Sequence, residues 1–324
     1  MASTRDIIRR IKSVKNTKKI TQAMELVSAA KMRRAIEAVL ATRSYANLSW
    51  LTVLNLAEVA DRNENLHTLL NPRKEVKKVA IILITSNRGL CGGFNANIIS
   101  KAVNSIKLHS DVETDCIILG KKGAAINYRY GYNLAAEFEK PDVTNEVEEV
   151  IPTARLVIND YLSGKYDKVM LAYTDFISTV KQVPRVKQLL PIDISQKDEY
   201  LGVIGSQAGE ASTPRFHEGA AMSPEVVSEK QKKHFENREY IFEPSPREVL
   251  DEMIPRLVEI QMFQALLESN ASEHSARMMA MRNATDAASD MIDDLTLTYN
   301  KARQAAITSE IAEIAGGAQA LESH

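Results

Sequence analysis

The sequence predicts an α/β protein in which two long terminal helices pair with each other around a small domain with a parallel β-sheet. Three observations lead to this prediction. The first 71 residues contain neither glycine nor proline, and the first of either is Pro72. After Pro246, only Pro255 interrupts the chain before Gly316. Between these ends, short apolar runs alternate with helical stretches, as they do in doubly wound sheets.

The N-terminal helix is predicted from about residue 4 to residue 58, and it would be about 80 Å long at 1.5 Å per residue. Ser3 or Thr4 can cap its first turn. Its apolar residues recur at spacings of four and three, which is typical of a helix face packed against another helix. These residues are Ile7, Ile11, Val14, Ile20, Met24, Val27, Ile36 and Val39.

The C-terminal helix is predicted to start at the capping box Ser245–Glu248, with Pro246 in the first helical position. Pro255 should kink its first turns or shift its start, and the pair Gly316-Gly317 should end it. The same spacing of three and four recurs along this helix. The residues that follow it are Ile254, Leu257, Gln261, Ala265, Ala276, Met279, Asn283 and Ala287.

The middle of the chain has the alternation expected of a parallel, doubly wound sheet. Apolar runs predict strands at Val79–Thr85, Cys116–Leu119 and Val169–Tyr173, with Val183–Leu190 as a further candidate. Helical stretches are predicted at Asn95–Leu108, Lys122–Tyr130 and Asn145–Leu162.

These patterns divide the chain into four parts. Residues 1–60 are the N-terminal helix, and residues 75–195 are the α/β domain. Residues 196–240 combine glycines, prolines and charged residues without periodicity, which favours an exposed and partly disordered insertion. Residues 245–318 are the C-terminal helix.

Composition argues against several classes of protein. The formal net charge is −1, so the chain as a whole is not expected to bind polyanions. The longest strongly apolar run, Val79–Ile84, is far shorter than the ~20 residues of a membrane-spanning helix. Cys91 and Cys116 form no CxxC motif, so we expect reduced thiols. The six histidines match no metal-ligand spacing, so no metal site is predicted.

The segment Thr85–Phe94 is the most enzyme-like part of the sequence, because it follows a strand and precedes a helix. It matches neither GxGxxG nor a Walker A motif, and no lysine follows its glycines. A structural turn is therefore favoured over a ligand loop, and a nucleotide-binding α/β enzyme is the alternative. Cys91 lies in this segment without a base at a recognisable spacing.

Residues 1–34 contain ten Lys or Arg but only two acidic residues, Asp6 and Glu25. A solvated helix face is the plain interpretation of this basic stretch. Nucleic-acid or lipid binding is an alternative, although no aromatic residues interleave to stack on bases. We favour a positive face set against an acidic protein, because the same helix needs a protein partner for its apolar residues.

Four motifs, in the order in which they occur, resemble the gamma subunits of F-type ATP synthases. They are ITQAMELVSAAKM at 20–32, NRGLCGG at 87–93, ASEHSARMMAM at 271–281 and YNKARQAAIT at 299–308. The resemblance covers nearly the whole chain apart from about 197–239. It implies an antiparallel coiled coil of the terminal helices with a central Rossmann-like domain, and the function of a central rotor shaft that has no catalytic site and no cofactor of its own.

The resemblance also implies partners. Met24, Arg303, Gln304 and Thr308 match positions that touch the catalytic ring of alpha and beta subunits. Tyr240 and Glu243 resemble foot residues that meet the c ring. Epsilon, and delta within the complex, would be further partners, and nucleic acid would not. The implied location is peripheral, on the cytoplasmic side of the bacterial inner membrane, through the complex. The insertion has no cysteine pair, so thiol regulation is not expected.

Overall fold

A computed structural model describes six parts of the chain: residues 4–60, 68–73, 75–108, 112–142, 146–192 and 246–322. The predicted insertion at 196–240 lies outside the described residues. The chain divides into two compact units. The first comprises Met1–Ala30, Leu90–Gly92 and His274–His324, and the second comprises Lys31–Gly89 and Gly93–Glu273.

Both predicted terminal helices are present. Helix α1 spans Thr4–Ala60, and the last helix, α5, spans Pro246–Glu322. Helix α5 starts at Pro246 as predicted and contains Pro255, which does not shift its start. The prediction that Gly316-Gly317 ends this helix is wrong, because the helix continues to Glu322. A glycine costs a helix only about 1 kcal/mol relative to alanine, so it does not by itself stop one.

The second unit is built on a five-stranded sheet in the order β3-β2-β1-β4-β5. Four strands are mutually parallel and β5 is antiparallel to β4. The predicted strands are confirmed, including the further candidate at the β5 edge, whereas β3 was missed. The strands are β1 (Lys78–Ile84), β2 (Glu113–Leu119), β3 (Asn133–Phe138), β4 (Lys168–Phe176) and β5 (Gln182–Leu190).

Three shorter helices connect the strands: α2 (Phe94–Lys107), α3 (Ala125–Tyr130) and α4 (Ile151–Leu162). Alternate residues of β1 face opposite sides of the sheet. Ile81 and Leu83 pack in a core with α2, whereas Ile82 and Ile84 pack in a core with α4 and α5. The stretch Leu257–Glu273 of α5 is buried throughout, so this helix is a central element of the second unit. No helix among the described residues is long and apolar enough to cross a membrane.

Gly120 lies where the chain leaves β2, and its φ of 103° favours glycine. A Cβ there would lie 2.3 Å from the backbone oxygen of Thr85. This close approach brings the ends of β1 and β2 together, and the Thr85 hydroxyl donates to the Gly120 oxygen at 2.8 Å.

We predict that Gly120→Ala lowers the free energy of unfolding by about 1–3 kcal/mol, because backbone strain and a clash with Thr85 add together. Urea unfolding followed by circular dichroism measures this loss. Gly89→Ala is the matched control, because a Cβ at Gly89 meets nothing within 4 Å. Equal stability of the two variants would contradict the prediction.

Candidate protein-binding surface of the terminal helices

Most shielded residues of α1 in the first unit follow a repeat of three and four, with Met24 and Ala29 beside it. This is the spacing of a helix that packs lengthwise on another helix. The repeat comprises Thr4, Ile7, Ile11, Val14, Lys18, Thr21, Glu25 and Ser28. On α5 the same repeat comprises Met278, Met281, Thr285, Ala288, Ile292, Leu295, Tyr299 and Ala302. We call these two sets the seam.

The two helices run antiparallel in a constant register. In the first unit the hydroxyls of Thr21 and Thr285 hydrogen-bond at 2.8 Å. In the second unit the Thr42 hydroxyl donates to Gln264 Oε1 at 2.9 Å, and Ala35 shares a small core with Ala271. In each of these pairs the residue numbers add to 306. The predicted antiparallel pairing of the terminal helices is therefore confirmed.

The predicted composition of the seam is partly wrong. Ile254, Leu257, Gln261 and Ala265 are buried as predicted. Ile20 and Val27, in contrast, are 61% and 56% exposed, and on α5 Asn283 and Ala287 are also exposed. At these levels the seam passes instead through small and polar residues such as Thr21, Ser28 and Thr285, whereas Ile7, Ile11 and Val14 are shielded as predicted. Apolar periodicity alone cannot separate such a seam from an outward face that awaits a partner.

The outward faces of both helices carry exposed apolar side chains beside the basic residues of α1. Grouped exposed apolar residues are typical of protein-binding surfaces. On α1 the apolar residues are Ile8, Ile20, Leu26 and Val27, and the exposed basic ones are Arg5, Arg9, Arg10, Lys12, Lys15 and Lys19. On α5 the exposed apolar residues before Ala302 are Met291 and Leu297.

Beyond Ala302, α5 continues without a seam. The register places Ala302 opposite Thr4, where α1 begins, and every residue from Arg303 to Ala315 is exposed. Three isoleucines, Ile307, Ile311 and Ile314, recur on this stretch at spacings of four and three, and Ile314 is 73% exposed. A helix without tertiary packing is marginal in water, so this apolar stripe indicates a binding surface for another protein.

The predicted contact residues that the structure describes lie at two levels of the helix pair. Met24 is half-buried beside the seam, and the register places it opposite Arg282. Arg303 lies 21 residues further along α5, about 30 Å at 1.5 Å per residue. Gln304 and Thr308 are exposed on the same stretch, where the Thr308 hydroxyl donates to the Gln304 carbonyl oxygen at 2.9 Å. Tyr240 and Glu243 lie outside the described residues.

Within the segment Thr85–Phe94, the Asn87 side chain forms hydrogen bonds inside the second unit. Asn87 Nδ2 donates to the Lys140 carbonyl oxygen at 2.6 Å, and Asn87 Oδ1 accepts from the Lys140 and Lys121 amides at 3.3 and 3.4 Å. These bonds tie the ends of β1, β2 and β3 to one another. They favour the structural interpretation of this segment over the ligand loop.

Parallel sheets of this kind usually bind ligands beyond the carboxyl ends of their strands, at the point where the strand order reverses. Here that point lies between β1 and β4. The Ser272 hydroxyl of α5 donates to the Thr174 carbonyl oxygen near the end of β4 at 3.2 Å, and Phe176 packs with Ala35 and Ala271. The terminal helices therefore pack against the carboxyl end of β4, on one side of this point.

Both cysteines are buried. Burial, followed by the nearby charge of Asp115, raises the pKa of the Cys116 thiol to about 12, so this thiol stays protonated and unreactive at neutral pH. No group of three or more His, Cys, Asp or Glu within the described ranges could hold a metal ion.

A buried polar network joins the helix pair to the sheet. Gln264 accepts from Thr42 of α1, and its Nε2 donates to Glu268 Oε1 at 3.2 Å. Beside Glu268, the Asp175 carboxylate of β4 pairs with Arg185 Nε of β5 at 2.8 Å. Burial, and then the negative charge of Asp175, raise the pKa of Glu268 to about 8. The protonated form of the Glu268 carboxyl is therefore favoured at neutral pH.

These features define a class of α/β protein. Its two long terminal helices pair antiparallel, and exposed apolar residues on them are typical of surfaces that bind other proteins. Comparison with known proteins makes the assignment specific. A family model described as ATP synthase matches residues 3–321. The ATP synthase gamma chain of Herpetosiphon aurantiacus is 44% identical over 99% of both chains. That of Pelotomaculum thermopropionicum is 44% identical over 99% of this chain and 100% of its own.

Solved structures share the fold. A chain of the Euglena gracilis mitochondrial ATP synthase (OSCP/F1/c-ring) gives a TM-score of 0.62 at 17% identity, covering 99% of this chain and 95% of that one. A chain of the Tetrahymena thermophila mitochondrial ATP synthase (central stalk/c-ring) gives 0.54 at 22% identity, covering 82% and 99%. This protein belongs to the gamma-chain family of ATP synthases, as the sequence motifs predicted.

The raised pKa of Glu268 predicts that stability falls as pH rises. Between the ordinary glutamate value of 4.5 and about 8, the folded chain holds a proton that the unfolded chain releases. Unfolding is therefore favoured with increasing pH across this window, by up to about 1.4 kcal/mol per pH unit. Above pH 8 this contribution no longer changes.

Glu268→Gln should flatten this slope, because the amide has no proton to release. Thermal unfolding followed by circular dichroism between pH 5 and pH 9 measures it. Glu252→Gln, an exposed position on the same helix, is the control and should keep the wild-type slope. A Glu268→Gln protein with the wild-type pH dependence would show that this carboxyl does not titrate in the window.

Proposed function

We propose that this chain is the central-stalk rotor subunit of an ATP synthase, carrying torque from a proton-driven c ring to a catalytic ring of alpha and beta subunits. Membership of the gamma-chain family, joined to a long antiparallel helix pair that ends in a single exposed helix, supports the proposal most directly. The nucleotide chemistry would belong to the beta subunits, and this chain would require no cofactor.

The helix pair has the physical properties that a shaft needs. A helix of 57 residues paired with one of 77 spreads a load over many small seam contacts. An asymmetric shaft can then favour a different conformation at each of three identical sites, because it makes different contacts with each. Rotation would change those contacts in sequence.

The exposed surfaces support a division of contacts. We assign Met24 and the outward apolar residues of α1 to the catalytic ring, with the basic residues of α1 near an acidic segment of beta. Arg303, Gln304 and Thr308 would contact the same ring at a separate level, on the single-helix end of α5. Tyr240 and Glu243 would meet the c ring, and epsilon would bind nearby, with delta elsewhere in the complex.

The location follows from the partners. The chain would be a peripheral component on the cytoplasmic side of a bacterial inner membrane, held there by the c ring.

Rotation in a reconstituted complex tests the function. The chain is assembled with the alpha and beta subunits of its own synthase, with Leu108→Cys as a bead-attachment site, since Leu108 is 84% exposed and both natural cysteines are buried. We expect stepwise, unidirectional rotation of the bead during ATP hydrolysis. A complex that hydrolyses ATP at the same rate without this chain, or whose bead does not turn, would refute the proposal.

The outward apolar stripe of α1 predicts a binding defect that leaves the fold intact. In Ile20→Ser/Val27→Ser we expect normal helix content but weaker assembly, about tenfold or more in affinity, because two exposed apolar anchors are lost. Titration of the alpha–beta ring with the chain, read by ATPase activation, measures this. Leu162→Ser, an exposed apolar position on α4, should bind normally; a defect equal to that of the double variant would argue against a specific surface.

A positive charge at Met24 should disturb coupling more than folding. Met24 lies beside the seam and is half-buried in the chain alone, so Met24→Lys leaves the Thr21–Thr285 contact intact. We expect normal helix content and a changed ratio of proton pumping to ATP hydrolysis in membrane vesicles. Unchanged hydrolysis and pumping would count against contact of Met24 with the catalytic ring.

A further inference from the structure

The short loop Glu139–Asp142, which follows β3, contacts both terminal helices within the second unit. Lys31 of α1 donates to the Asp142 carboxylate at 2.5 Å. Lys140 Nζ donates to Asn270 Oδ1 of α5 at 2.7 Å and also pairs with the Glu273 carboxylate. Asn270 Nδ2 in turn donates to the Pro141 oxygen at 3.3 Å.

The loop is itself held by the sheet. Asn87, at the end of β1, bonds both the amide and the carbonyl of Lys140. Because the loop is bonded to the sheet on one side and to both helices on the other, it is a short mechanical connection between them. We call the contacts of Lys31, Asn87, Lys140, Asp142, Asn270 and Glu273 the clasp.

Stability alone does not account for the clasp. The side chains of Lys140 and Glu273 are 1% and 2% exposed, and a buried ion pair often stabilises a fold no better than apolar residues of similar volume. The Lys31–Asp142 pair is a third to a half exposed, and such pairs contribute little. What a buried pair provides, and an apolar contact does not, is one defined geometry.

The clasp lies at a level of the helix pair where a fixed geometry can matter mechanically. The register places Glu273 and Asn270 opposite residues 33 and 36, two and five residues from Lys31, so the clasp engages both helices within about 8 Å along their axis. Lys31 and Glu273 are also the residues at which the second unit begins on α1 and ends on α5.

The covalent connections are distant from this level. Helix α1 ends at Ala60 and α5 begins at Pro246. At 1.5 Å per residue, each of these ends is about 40 Å along its helix from the clasp. A twisting load at the level of Lys31 and Glu273 must therefore reach the sheet through non-covalent contacts.

We propose that the loop Glu139–Asp142 is a torque clasp, in which buried Lys140 is the positioning residue that prevents the helix pair from twisting against the sheet. The proposal rests on the rotor function proposed above, and it assigns one step of torque transmission to named residues. Lys140 acts through Asn270 and Glu273 and touches no substrate.

The test compares torsional stiffness with stability in the full synthase. Lys140→Met removes the ammonium that faces the buried Glu273 carboxylate. Lys140→Met/Glu273→Met removes both charges at similar volume, so its thermal stability should return toward wild type. Lys165→Met breaks the exposed Lys165–Asp160 pair beside α4 and is the matched control.

We expect both clasp variants to show wider angular fluctuation of a stalled bead, together with unchanged ATP hydrolysis without load. The ratio of ATP synthesis to hydrolysis at low proton-motive force should fall by about twofold or more, as for other changes along a coupled network. The Lys165→Met complex should behave as wild type.

The outcomes separate this proposal from the rotor function. If the double variant regains wild-type stiffness together with its stability, the pair is only structural and the clasp is refuted. If Lys140→Met fails to assemble, Asp142→Asn, at a half-exposed position, gives the second measurement; wild-type stiffness there and in the double variant also refutes the clasp. If the wild-type bead does not rotate, the rotor function itself fails.

Discussion

The antiparallel pairing of α1 with α5 is the constraint on which the rest of the structure depends. Contacts in both units keep the same register, in which paired residue numbers add to 306. This register brings Thr42 to Gln264 and decides which residues of each helix turn outward. Among the described residues, it places Thr4 opposite Ala302, beyond which Arg303–Ala315 of α5 are exposed.

The same pairing brings α5 against the sheet of the α/β domain. The stretch Leu257–Glu273 of α5 is buried throughout and packs against the sheet. Ser272 and Ala271 lie beside the end of β4, where a parallel sheet usually opens to a ligand. The α/β domain therefore holds the helix pair through the end of β4.

Local sequence signals were sufficient for most of the fold. The terminal helices and the strands β1, β2, β4 and β5 were predicted because each has a strong apolar pattern or lacks glycine and proline. Strand β3 was missed because its sequence NLAAEF is only half-buried and has no β-branched residue. The seam was misassigned at Ile20 and Val27, because a face awaiting a partner and a face packed internally have the same apolar period. Lys140 and Glu273 could not be paired from sequence, because 133 residues separate them.

The misassigned seam and the unpredicted Lys140–Glu273 pair share one physical cause. A soluble chain that folds alone turns its apolar residues inward, and periodicity then identifies the core. This chain turns isoleucine and valine outward on α1 and isoleucine outward on the end of α5, while threonine and serine stand among the apolar residues of its seam and a lysine–glutamate pair is buried inside. Exposed apolar groups and buried charges of this kind are costly for an isolated monomer. The arrangement is reasonable only if other subunits cover the outward residues, and if the buried polar groups are retained for a defined geometry rather than for stability.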